Sequence, residues 1–213
     1  MKILQKNRRS AFTLIEMIGV IAIISILAAV LVPKVQTAIA RSKVSGTALV
    51  FNTLKTAVTD YYSRSNSFPL RAGTGAANTA TATGRFDADL VAAGLLDKLV
   101  STPIGSTATT GALTTRPHVR VLTALVAGTP NPTAGAGGNN FDLDSNTATS
   151  DFTAGQTVVS LMIPQVSFAD AILLNSIIDN AINTGAAADR VGRCIYSAVA
   201  GGTTTVYLYL GHQ

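Results

Sequence analysis

Residues 10–33, SAFTLIEMIGVIAIISILAAVLVP, decide how this chain is built. Glu16 is their only charge, and the segment ahead of them, MKILQKNRRSA, is basic. At about 1.5 Å per helical residue, the apolar run 12–32 reaches roughly 31 Å, one bilayer core. A carboxylate inside such a helix costs about 3 kcal/mol by insertion scales. Glu16 is therefore expected to need a partner that the span itself does not contain. Lys2, Lys6, Arg8 and Arg9 precede the span with no acid among them. The positive-inside bias then keeps the N-terminus cytoplasmic and puts residues 34–213 across the membrane, although Lys34, Arg41 and Lys43 on the far side pull against it. A secretory signal peptide shares the basic head, but its apolar core is about 7–15 residues long and ends at a small-residue cleavage site. Here the run is longer and continues into helix-forming sequence past Pro33.

FTLIEMIGVIAIISILAAVLVP resembles the N-terminal signature of type IV pilins and type II secretion pseudopilins. The resemblance implies a leader, residues 1–11, cut by a prepilin peptidase between Ala11 and Phe12, and N-methylation of the new N-terminal Phe12. It implies a transmembrane and filament-core helix over residues 12–33, with Glu16 as the family's acidic position and Pro33 as its helix bend. Ala11 stands where the family usually has Gly, Ser25 where Gly is common, and Gly19 where a large aliphatic is common. Cutting before Phe12 creates an α-amino cation four residues from Glu16. Between staggered neighbours that amine can pair with the carboxylate and favour one register, so Phe12 and Glu16 become assembly residues. The plainer alternative is a single-pass anchor with an acid at its interfacial end.

The chain has 16 Lys and Arg against 11 Asp and Glu. Four of the basic residues lie in the leader, leaving 12 against 11 and a mature net charge of +1. Arg64, Arg71, Arg85, Lys98, Arg116, Arg120, Arg190 and Arg193 are scattered and not interleaved with aromatics, so a nucleic-acid partner is not expected. Residues 34–213 suffice for an amphipathic helix and one α+β head with its own core. The single Cys194 rules out an intrachain disulfide.

From Lys34 to Arg64 apolar residues recur at threes and fours, among them Val35, Ile39, Val44, Ala48, Phe51, Leu54, Val58 and Tyr61. This predicts an amphipathic continuation of the membrane helix, its apolar stripe packed on a small sheet. It should stop near Asn66, before Phe68-Pro69. The stretch AVTDYYSRSNSFP and the later AGLL-DKL resemble the end of the long helix and the following segment in major pseudopilins. Residues 72–84, 101–115 and 128–140 read as loops. Residues 86–100 predict a short helix weakened by Gly94; residues 118–126 and 157–163 predict strands.

Ser167 and Asp170 form a capping-box-like start for a helix whose face is Phe168, Ala171, Ile172, Asn175, Ile178 and Ile182, closed by Gly185. Residues 194–199 and 205–210 alternate about an Ala200-Gly201-Gly202-Thr203 turn and predict a hairpin. Val206, Leu208 and Leu210 would share one face, Tyr207 and Tyr209 the other. Those tyrosines would form a contact ladder or simply cover a sheet edge.

DLDSNTATSD gathers Asp142, Asp144, Asn146 and Asp151 in one polar loop. Oxygen ligands suit calcium, and the resemblance adds weight, because some major pseudopilins hold calcium in a C-terminal loop. The EF-hand pattern fails, since Thr147 and Thr153 replace its Gly and Glu, and a solvated Asx-turn loop is the alternative. No other cofactor is expected. His118 and His212 are the only histidines, His118 reads as a surface or strand-start residue, and no zinc spacing or phosphate loop occurs, so no enzyme is expected.

The expected fold class is α+β: a long N-terminal helix packed on a small antiparallel sheet with one or two short helices. The expected function is a structural subunit that polymerises with itself and with related pilin-like subunits into a type IV pilus or type II secretion pseudopilus. Its other partners would be the prepilin peptidase, the inner-membrane assembly platform and the membrane. A minor or competence pseudopilin is the alternative within the class, and a non-polymerising membrane-tethered periplasmic binding module the alternative outside it. The expected location is the bacterial inner membrane, single-pass with a cytoplasmic N-terminus, and then a periplasmic or extracellular filament.

Overall fold

A computed structural model describes residues 12–69, 85–108, 115–123, 141–144, 151–153, 155–180 and 188–213. Its first element, α1, is a continuous helix, Leu14–Ser65. The chain divides within this helix into two units, residues 1–40 and 41–213. In the first unit every described residue from 12 to 39 is exposed. Pro33 lies inside the helix. It has no N–H to give the turn before it, and Thr37 Oγ1 donates to the Pro33 carbonyl at 2.6 Å.

In the second unit α1 buries Val44, Thr47, Ala48, Phe51, Leu54, Ala57 and Val58, a stripe at three- and four-residue spacing. The helix ends as expected: Asn66 adopts φ 51° and donates its N–H to the Tyr62 carbonyl at 2.8 Å. Asn accepts this left-handed position because its short polar side chain tolerates it. Phe68 then turns inward, 5.1 Å from Tyr62 and 6.0 Å from Phe86 by ring centroids.

A short helix, α2 (Phe86–Ala92), follows. The sequence predicts a longer one, but Gly94 ends it at φ 71° instead of merely weakening it. Leu95 N–H bonds to the Leu90 carbonyl and Gly94 N–H to Val91, the paired bonds of a Schellman cap.

Four antiparallel strands form one sheet in the order β1-β2-β4-β3: β1 (His118–Thr123), β2 (Thr157–Ser167), β3 (Cys194–Tyr196) and β4 (Thr203–His212). β2 runs past its expected end at Ile163. Pro164 is accommodated because the register with β4 shifts between Ile163 and Val166, with Gln165 at φ 57°. A bulge is where a strand tolerates the missing donor. β2 ends at Ser167, which caps α3 (Phe168–Ile178) by accepting the Asp170 N–H. That helix stops earlier than expected, because Asn180 turns left-handed and the Asp179 carboxylate is held by the N–H groups of Arg193 and Cys194. Its buried residues are Ala171, Leu174 and Asn175, so Leu174 displaces Ile172 from the expected face. Ile182 and Gly185 lie outside the described residues.

β3 and β4 form the expected hairpin. Ala200 and Thr203 exchange two backbone bonds around Gly201 and Gly202, both at positive φ, the type I′ geometry that matches strand twist. The sheet is buried on both faces. Val119, Val121, Leu161, Val206 and Leu208 join the α1 stripe in the main core, while Val158, Ile195 and Tyr207 form a second cluster with Phe141 and Phe152. Tyr207 and Tyr209 therefore form neither an exposed ladder nor an edge cover. Tyr207 is buried on an inner strand, and Tyr209 lies 5.6 Å from Phe141 and 5.8 Å from Phe152.

Candidate functional site

The start of α1 is built by Thr13. Its backbone N–H and its Oγ1 both donate to Glu16 Oε2 at 2.8 Å, and the Glu16 N–H points back to Thr13 Oγ1 at 3.4 Å. This is a reciprocal capping box, which satisfies helix N–H groups that have no carbonyl partner. The expectation that the span contains no partner for Glu16 is thereby corrected. The T-L-I-E spacing carried the signal, by the same rule that marks Ser167 and Asp170. Phe12 stands outside the helix and is 81% exposed. Ala11 lies outside the described residues.

Behind this cap, Leu14, Ile15, Ile18, Ile21, Ile24 and Leu27 are all exposed large hydrophobics. Soluble monomers rarely expose so much contiguous apolar surface. By length and composition the helix suffices to cross a membrane.

The acidic loop is the second candidate. Asp142, Asp144 and Asp151 each present an oxygen within 4.8 Å of the others, with Asp142 buried and the other two exposed. Asp151 Oδ2 accepts the N–H groups of Leu143 and Asp144, and the Asp142 carbonyl accepts the Gly192 N–H at 2.7 Å. Phe141 and Phe152, beside these carboxylates in sequence, pack against the sheet: Phe141 on Tyr209, and Phe152 on Tyr209 and His212. Three clustered carboxylates are a donor set for a hard cation. Asn146, the fourth expected ligand, lies outside the described residues.

The head also buries charge. Asp87 is fully buried, pairs with Arg85, and accepts the Val100 N–H at 3.1 Å. Arg120 donates to Ser160 Oγ at 2.9 Å and lies 4.4 Å over the Tyr207 ring. Burial pulls its pKa down to about 10, with Tyr207 opposing. His118 opens β1 but is buried, not on the surface. Its Nδ1 lies 3.0 Å from the Arg116 carbonyl, while Nε2 is buried with no hydrogen-bond partner among the described residues. Burial is the main cause that pushes its pKa to about 4.

Residues 6–32 match the prokaryotic N-terminal methylation motif. A type IV major pilin protein of Neisseria gonorrhoeae is 46% identical over 69 residues, covering 32% of this chain and 39% of the relative. A fimbrial protein of Neisseria meningitidis serogroup B is 46% identical over 69 residues, covering 32% of this chain and 38% of the relative. A further gonococcal type IV major pilin is 40% identical over 87 residues, covering 40% of this chain and 50% of the relative. The chain thus spans half or less of the length of these relatives. No solved structure matches it. The similarity thus lies between residues 6–32 and a prokaryotic N-terminal methylation motif, and between part of this chain and part of these type IV pilins.

Proposed function

We propose that this chain is a structural subunit made as a prepilin. A prepilin peptidase removes residues 1–11 and methylates Phe12, the apolar half of α1 holds the subunit in the inner membrane, and assembly transfers that half into a filament core. The observation that carries this reading is the segment 12–39, helical from Leu14 and exposed throughout, with a single carboxylate at its start. Lipid covers such a surface before assembly, and neighbouring helices cover it afterwards. Once Phe12 is the N-terminus, its ammonium meets the Glu16 of an adjacent subunit. The desolvated pair then selects one stagger over others. Relatives named as major pilins favour a surface pilus over a secretion pseudopilus.

The acidic loop adds a calcium proposal. Asp142, Asp144 and Asp151 would supply carboxylate oxygens, and the bound ion would stiffen the loop that Phe141 and Phe152 pin to the sheet.

The test of the main reading is co-expression with a prepilin peptidase and an assembly machinery. Mass spectrometry should find a chain that begins at methylated Phe12, and Glu16→Ala should abolish filaments while leaving subunit levels unchanged. An intact leader, or filaments indifferent to Glu16→Ala, defeats it. A membrane-tethered binding module that never polymerises would keep its function in the Glu16→Ala chain, whereas a minor subunit would enter filaments only in the company of a major one.

A further inference from the structure

From the geometry of the Thr13 cap we infer that Thr13 is a positioning residue for assembly: it holds Glu16 by one carboxylate oxygen and presents the other to the cation of a neighbouring subunit. The inference rests on the assembly role proposed for Glu16. Both Thr13 donors converge on Oε2, and among the described residues Oε1 accepts no hydrogen bond. A Glu side chain has three rotatable bonds, and on an exposed first turn it would otherwise sample several rotamers. Two bonds to one oxygen hold it along the helix start and leave the other oxygen without a donor among the described residues.

The arrangement survives cleavage. The donating N–H belongs to the Phe12–Thr13 peptide bond, one bond beyond the expected cut, and Oγ1 is untouched by it. A freshly cut subunit therefore already has a helix that starts at Leu14 and a Glu16 set in place. Only one oxygen is committed to the cap, so accepting the neighbour's ammonium breaks no existing hydrogen bond. The cap and the intermolecular pair are additive.

Thr13→Val keeps the β-branched shape and the backbone N–H but loses Oγ1, whereas Thr13→Ser keeps the hydroxyl. Both are compared with the parent and with Glu16→Ala in cells that carry the peptidase and the assembly machinery. Processing is read by mass spectrometry of the N-terminus, and assembly as the fraction of chain in sheared filaments. Thr13→Val should be processed normally yet assemble roughly five-fold less well, the equilibrium equivalent of one lost N-cap bond. Thr13→Ser should match the parent. If Thr13→Val assembles like the parent while Glu16→Ala does not assemble, the positioning role is overturned and the Glu16 reading stands. If Thr13→Ser fails as badly as Thr13→Val, the threonine shape is at work and the inference falls. A Thr13→Val chain that stays uncleaved overturns it too, by moving the role to the cleavage step. If Glu16→Ala itself assembles normally, both readings fall together.

Discussion

Acidification should loosen the head through His118. The imidazole is 1% exposed and lies at the start of β1. Burial is the leading cause of its low pKa, and the guanidinium groups of Arg120 and Arg85 add to it. The Arg116 carbonyl and the Asp87 carboxylate push the other way, but Asp87 is already committed to Arg85 and to the Val100 N–H. A histidine with a folded pKa of about 4 and an unfolded one of about 6.5 binds more protons unfolded throughout that window. Stability therefore falls as pH drops from 6.5 toward 4 and is fully present above 6.5. Between pH 7 and pH 5 the linkage relation gives a loss of about 2 kcal/mol, or roughly 4–8 °C in Tm for a domain of this size.

Asp179, raised by burial, works in the opposite sense as pH falls, so the His118 contribution is the difference in slope between the parent and a His118 variant from pH 7 to 5. The assay is thermal unfolding of the full chain in detergent, followed by circular dichroism, beside His118→Asn. The variant should be less stable at neutral pH yet lose the slope between pH 7 and 5. A flat parent profile, or a slope that persists in His118→Asn, refutes the argument.

Gly192→Ala should cost about 2 kcal/mol or more, because Gly192 has φ 89° and an added Cβ would lie 2.5 Å from the Asp179 carboxylate; urea unfolding measures it, and an unchanged midpoint contradicts the crowding. Calcium at millimolar levels should raise the Tm and change tyrosine emission, because the acidic loop is fastened beside Tyr209; Asp151→Ala should abolish both effects, and a parent with no response removes the site.

The elements legible in the sequence are those fixed by local pattern. α1 is long, apolar and then periodic, and Asn66 followed by Phe68-Pro69 marks its end. The hairpin is legible because two glycines between alternating strands leave little choice of turn. What escapes is non-local or hidden by a stronger signal. Pro164 reads as a strand end until β4 is present to absorb the bulge. Tyr207 reads as exposed because its cover, Phe141 and Phe152, comes from a loop distant in sequence. His118 reads as surface until Arg85, Asp87 and Arg120 close around it. At the N-terminus Phe12, Glu16 and Pro33 stand out against their apolar surroundings. Thr13 does not, since beside a membrane-length run a capping threonine reads as one more small residue.

The burial of Cys194 has a practical consequence. Its thiol is the chain's only one, lies at 0% exposure, and is held well above its ordinary pKa by that burial, with Asp179 and Asp189 adding to the shift. It is thus poorly disposed to react with maleimides or disulfide reagents. The native chain presents a surface blank to thiol chemistry, and a single cysteine introduced at exposed Leu49 or Lys55 would carry essentially all the label. Paired introductions can then map which faces of neighbouring subunits lie within cross-linking reach, without first removing a native thiol from the core.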